Sequence, residues 1–104
     1  MMNDLLLPMF EDEYYPDVLV GHLKDLLLQF AEKINRETLS ETEIYYLAHD
    51  MVVQINKMKA QFEQLDSALD ATAADYVTEA MMMVVQEAGY MDIDMEELVA
   101  NREW

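Results

Sequence analysis

Ser40-Glu41-Thr42-Glu43, followed by Ile44 and the stretch that runs on to Leu65, decides the fold. Ser40 and Glu43 stand three residues apart. That is the spacing at which a serine hydroxyl takes the N3 amide proton and the N3 carboxylate takes the N-cap amide proton. Leu39 and Ile44 occupy the two positions of a hydrophobic staple around this box. From there Ile44, Ala48, Met51, Ile55, Met58, Phe62 and Leu65 advance in steps of 4, 3, 4, 3, 4 and 3 residues. An unbroken alternation of that kind draws one apolar seam along one side of a helix. The spacing predicts a helix over 41–65 that serves as the central helix of an antiparallel bundle.

Working outward, Pro16 suits the first turn of a preceding helix, with Asp17 near its positive end. Val20, Leu23, Leu27, Phe30 and Ile34 step by three and four, and Leu19, Leu26 and Ala31 widen the stripe into a core-facing surface. This predicts a helix over 17–36, with Glu32 and Arg36 as a favourable i,i+4 pair. On the other side a helix over 68–88 starts after Asp66-Ser67 or at Asp70, which are competing caps. Leu69, Ala73, Val77, Ala80, Val84 and Ala88 form its inner face, and Gly89 suits the position just past its end. A short helix over 94–100 follows, with Asp92 or Asp94 as cap. Residues 1–16, interrupted by Pro8 and Pro16, read as an irregular arm that lays Phe10, Tyr14 and Tyr15 on the bundle or presents them to a partner. The expectation is a single all-α domain over 1–104: three main helices in an antiparallel bundle plus a short C-terminal helix.

Composition narrows the function. The chain has 104 residues, 53% of them hydrophobic, and 22 acidic against 6 basic side chains, for a formal charge of −16. The hydrophobic fraction is too high for a disordered acidic chain, so the charge belongs on a folded surface. With two Gly and two Pro there are too few turn formers for an all-β fold. The absence of Cys excludes disulfides, thiolate metal sites and a cysteine nucleophile. A strongly negative surface repels phosphate backbones and anionic membranes, so neither nucleic acid nor a membrane is an expected partner. Met1-Met2-Asn3-Asp4 lacks the basic start of a signal peptide, and the apolar run from Ala80 to Val85 is too short to span a bilayer. A cytoplasmic location is the expectation.

Candidate chemistry is sparse. A di-iron bundle needs Glu-x-x-His on two helices, but Leu19 and Tyr46 stand three residues before His22 and His49. Helical magnesium-dependent nucleotide hydrolases pair Glu-x-x-Glu with Glu-x-x-Asp; Glu63 to Asp66 supplies only the second half. Asp92, Asp94, Glu96 and Glu103 imitate calcium-loop spacing, yet Glu97 stands where that loop needs glycine. No phosphate loop or nucleophile elbow is present, and no cofactor is implied.

Two features invite a partner instead. Ala80-Met81-Met82-Met83-Val84-Val85 is apolar on every side of its helix. The outer positions Met81, Met82 and Val85 therefore need either internal cover or a second copy, which makes a homodimer through this helix. Residues 60–101 contain no Lys or Arg but carry Glu63, Asp66, Asp70, Asp75 and Glu79 among other acids. These form either a solvated surface or a docking face for a basic protein. Glu63, Asp66 and Asp70 would share a face if the helix ran on through them, and Asp75 and Glu79 share one in any case.

Tyr15-Pro16-Asp17 with Leu19-Val20 and Leu26-Leu27, Leu47-Ala48-His49 with Ile55-Asn56, Glu87-Ala88-Gly89-Tyr90 with Glu97-Leu98, and the closing Asn101-Arg102-Glu103-Trp104 together resemble the motifs of an uncharacterised family of short acidic bacterial helical proteins, a domain of unknown function. The resemblance covers nearly the whole chain. It implies a self-contained helical domain and no catalytic residues. Packing accounts for the apolar members of these motifs but not for His49, Arg102 and Trp104, which mark an unassigned site. The leading expectation is a non-enzymatic acidic module that binds a basic protein, with or without inhibiting it. A small helical enzyme using carboxylates and His49, such as a metal-dependent nucleotide hydrolase, is the alternative. A structural protein without a specific partner is the third.

Overall fold

A computed structural model of the chain describes residues 5–104. Five helices follow in order: α1 (Leu7–Glu11), α2 (Asp17–Arg36), α3 (Glu41–Gln64), α4 (Ala71–Glu87) and α5 (Met95–Leu98). Three long helices joined by short connections make an antiparallel bundle, and no strand occurs among the described residues. The 24 residues of α3 rise about 36 Å at 1.5 Å each, which nearly fills the 40 Å long axis.

The capping box forms as its spacing requires. The Ser40 hydroxyl accepts the Glu43 amide at 3.2 Å, and the Glu43 carboxylate accepts the Ser40 amide at 3.0 Å. Those hydrogen bonds, the backbone one first, hold the Glu43 carboxyl below its ordinary pKa. The seam from Ile44 to Phe62 is buried, but Leu65 is not part of it. Leu65 lies past the last turn and is exposed, because the chain leaves the helix at Asp66 with φ 58°. The Ser67 amide closes on the Phe62 carbonyl and the Asp66 amide on that of Glu63, a Schellman end with aspartate in the left-handed position. Gly89, at φ 97°, ends α4 by the same device.

The central helix is α2, not α3 as the seam suggested: both α3 and α4 pack against α2. Leu19, Val20, Leu23, Leu27, Phe30, Ala31 and Ile34 are all buried and sweep about 120° of the α2 surface, enough for two neighbours. The buried residues of α3, with Val52 beside the seam, sweep a similar arc, so regularity of the seam does not reveal which helix lies between the other two.

Of the competing α4 caps, Asp70 wins. Its Oδ1 accepts the Ala73 amide at 2.9 Å and also the Tyr15 hydroxyl at 2.7 Å. The N-terminal arm is more ordered than an irregular strap. Pro8 falls in the first turn of α1, where a missing amide proton costs nothing, so it starts a helix instead of breaking one. Leu5, Leu6, Met9 and Tyr15 are buried, and α1 packs on both α2 and α4. The first four residues of the expected arm lie outside the described ones. The final helix stops at Leu98 and passes into turns over 99–101, short of the expected 100.

Internal packing also answers the methionine run. Met81 and Val85 are fully buried within the chain, Met82 is half-buried, and Met83 faces outward. A dimer face made of Met81, Met82 and Val85 is therefore corrected: two of the three are core.

Two outcomes follow from these helix ends. Asp66→Gly relieves a left-handed aspartate and should stabilise the fold by about 1 kcal/mol in urea titration; a lower midpoint would show that Asp66 carries no strain. Burial, then the hydrogen bond to Asp70 and its negative charge, hold the Tyr15 phenol well above the usual tyrosine range. Folded Tyr15 thus keeps its proton where the unfolded chain has lost it, and its contribution to stability falls away as pH climbs above about 10. Tyr15→Phe should cost about 1 kcal/mol at pH 7 and remove this part of the alkaline loss. Equal alkaline slopes for the two proteins would contradict the assignment.

Candidate functional site

Tyr45, His49, Asn56 and Lys59 recur at helical spacing along one flank of α3, beside the buried seam. Each reaches the segment 94–104. The Tyr45 hydroxyl accepts the Asp94 amide at 2.9 Å. His49 Nε2 lies 2.7 Å from the Glu97 carbonyl oxygen, while the His49 carbonyl accepts Asn101 Nδ2 at 3.1 Å. Asn56 accepts the Glu103 amide at 2.9 Å and donates to the Asn101 carbonyl at 3.2 Å. Lys59 donates to the Glu103 carbonyl at 3.3 Å. Arg102 turns the other way and donates to the buried Thr78 hydroxyl of α4 at 3.3 Å. Its guanidinium stands 5.7 Å from the centre of the Trp104 ring, whose buried Nε1 has no hydrogen-bond partner. The segment is a polar clasp that ties α3 to α4.

This geometry limits the chemistry of His49. A ring nitrogen facing a carbonyl oxygen must carry its proton and donate it. Nε2 is thereby spent as a donor, and the lone pair of the neutral ring is left on Nδ1. The ring also stacks on Tyr45, with centroids 6.5 Å apart. His49, Arg102 and Trp104 all belong to the clasp, but they do not converge on one cavity.

The acidic residues separate into three groups. Asp70 is committed to its cap and to Tyr15. Glu63 and Asp66 are exposed at the end of α3, and the left-handed turn at Asp66 breaks the continuous face they were expected to share with Asp70. Asp75 and Glu79 line a groove of about 500 Å³ between α4 and the clasp. Glu96 joins them there, with Thr78, Met95, Val99, Ala100 and Arg102 completing the walls. Among the described residues no group of three or more His, Asp or Glu is arranged to hold a metal ion, and no helix is long and apolar enough to cross a membrane.

Asn56 and Asn101 were not singled out as site residues by sequence reasoning. The available signal was a row of polar side chains beside an apolar seam, with no solvent-facing reason for that spacing.

Fold and clasp define a small all-helical protein whose C-terminal segment is bonded back across the bundle. The chain belongs to a family of unknown function (DUF5713), which matches residues 2–104. No curated protein and no solved structure matches it.

The clasp yields a direct test. Asn56→Ala removes its two hydrogen bonds to the backbone of 101–103, and should cost about 1–2 kcal/mol. Trp104 fluorescence should shift to the red and become easier to quench, while far-ultraviolet circular dichroism stays helical. An unchanged Trp104 spectrum would show that Asn56 does not hold the segment.

Proposed function

We propose that this chain is a non-enzymatic, cytoplasmic interaction module of bacteria that binds a basic protein and inhibits it by covering its cationic surface. One observation carries the reading. Asp75, Glu79 and Glu96 border a groove walled by Met95 and Val99, in a chain with 22 acidic and 6 basic side chains. An apolar wall edged by carboxylates suits a Lys- or Arg-bearing segment that also has an apolar side chain to bury. The charge of the whole surface would steer such a partner inward and speed encounter. Arg102 also lines the groove, and its guanidinium is already engaged with Thr78 and lies against the Trp104 ring.

A solubilising surface with no specific partner is separated from docking by mutation. The triple variant Asp75→Asn, Glu79→Gln, Glu96→Gln should melt as the wild type does, since exposed acids change stability by only about 0.5 kcal/mol. It should lose the basic proteins that the wild type recovers from lysate at low salt. Glu63→Lys with Asp66→Lys should slow encounter without abolishing it. Asp70 is left intact in both sets, because changing it removes a helix cap. Undiminished recovery of the same proteins by the triple variant, with the same salt sensitivity, would sink the proposal.

A further inference from the structure

A second concavity lies at the corner where α2 gives way to α3, and it shares no residue with the acidic groove. It holds about 580 Å³, within the roughly 300–1,000 Å³ range of small-molecule sites. Half-buried Leu39 and Leu47 line it together with Tyr46, which is 77% exposed. Lys33 and Arg36, one turn apart at the end of α2, also line it. Two of the six cationic side chains of a strongly acidic chain are thus gathered at one apolar hollow.

The surrounding charges leave these cations available. The Glu43 carboxylate is held by the capping box. Arg36 is paired at 2.8 Å with Glu32, but both side chains are about two-thirds exposed, so that bond exchanges at little cost. Glu37 is the remaining acid on the lining and lies just past the helix end, where it repels an anion towards Lys33 and Arg36. The Thr42 hydroxyl adds a neutral donor.

We propose that this groove binds a small amphipathic carboxylate. The anionic head sits between Lys33 and Arg36, and the apolar body lies along Leu39, Leu47 and the Tyr46 ring. An acidic macromolecule is the poorer occupant, because the charge of −16 repels it over its whole length. A ligand with one charge and an apolar tail feels mainly the charges at the groove, where direct contact with Lys33 and Arg36 must outweigh Glu32, Glu37 and Glu43, since more distant charges are screened beyond about 8 Å at physiological salt.

Decanoate is a suitable probe, with decanol and decylamine as neutral and cationic counterparts of the same chain length. Titration of the full chain by amide NMR should give saturable shifts at Leu39, Tyr46 and Leu47 with decanoate. Decanol should bind at least about tenfold more weakly and decylamine not at all, which corresponds to one well-made charge contact. Lys33→Gln with Arg36→Gln should weaken decanoate about tenfold and leave decanol unchanged. Tyr46→Ala should weaken both. These side chains are exposed, so the variants should keep the wild-type melting temperature. Should either variant fold poorly, the comparison of the three probes on the wild type still decides. Decanol binding as tightly as decanoate, or shifts confined to other surfaces, would overturn the proposal.

Discussion

Burial of α2 between α3 and α4 is the constraint from which the remaining arrangement follows. Leu23 and Leu27 are wholly removed from water and Phe30 nearly so, each worth about 1.5–3 kcal/mol of apolar transfer. With α2 in the middle, α3 and α4 each meet it on one side and keep their other flanks for something else. On α4, α1 supplies part of that cover, which is how a helix with an all-round apolar turn fits in a single chain. On α3, the free flank is polar and takes the clasp. The bundle is thus joined twice, once by apolar area through α2 and once by hydrogen bonds through residues 94–104.

The two joints differ in physical character. Apolar burial is non-directional and tolerates adjustment of side chains. The clasp depends on direction, because Asn56 must meet one amide and one carbonyl of a passing backbone at the same time. Its bonds are largely solvent-exposed, so each contributes modestly, while together they fix one path for the segment. Tyr15 plays a similar part at the other end of the molecule, where one hydroxyl links the arm to the carboxylate that caps α4.

Local signals were legible in the sequence where they were local in cause. The capping box at Ser40 and Glu43, the glycine end of α4 and the Glu32–Arg36 pair all depend on residues a few positions apart. Choices decided by distant partners were not legible. Asp70 prevails over Ser67 as the α4 cap in the company of Tyr15, 55 residues away. Pro8 reads as a breaker until α1 has α2 and α4 to rest on. The seam of α3 looked central because it is regular, whereas centrality depended on which helix both neighbours pack against, and that is α2. For the site, His49, Arg102 and Trp104 lie in or beside the clasp, but their partners lie across the bundle and no spacing rule points to them. Asp75 and Glu79 were visible as a pair; Glu96 joins them only through the fold.

The methionines described as core and as surface imply an ordering under oxidation. Met9, Met51, Met58 and Met81 are sealed in the interior, whereas Met83, Met91 and Met95 are exposed. Peroxide converts an accessible thioether to a polar sulfoxide and reaches a buried one only as the structure opens. The outer sulfurs therefore record contact with oxidant, and the inner ones record how often the bundle has come apart. Met95 lines the acidic groove, so its oxidation would make an apolar wall polar while leaving the core untouched.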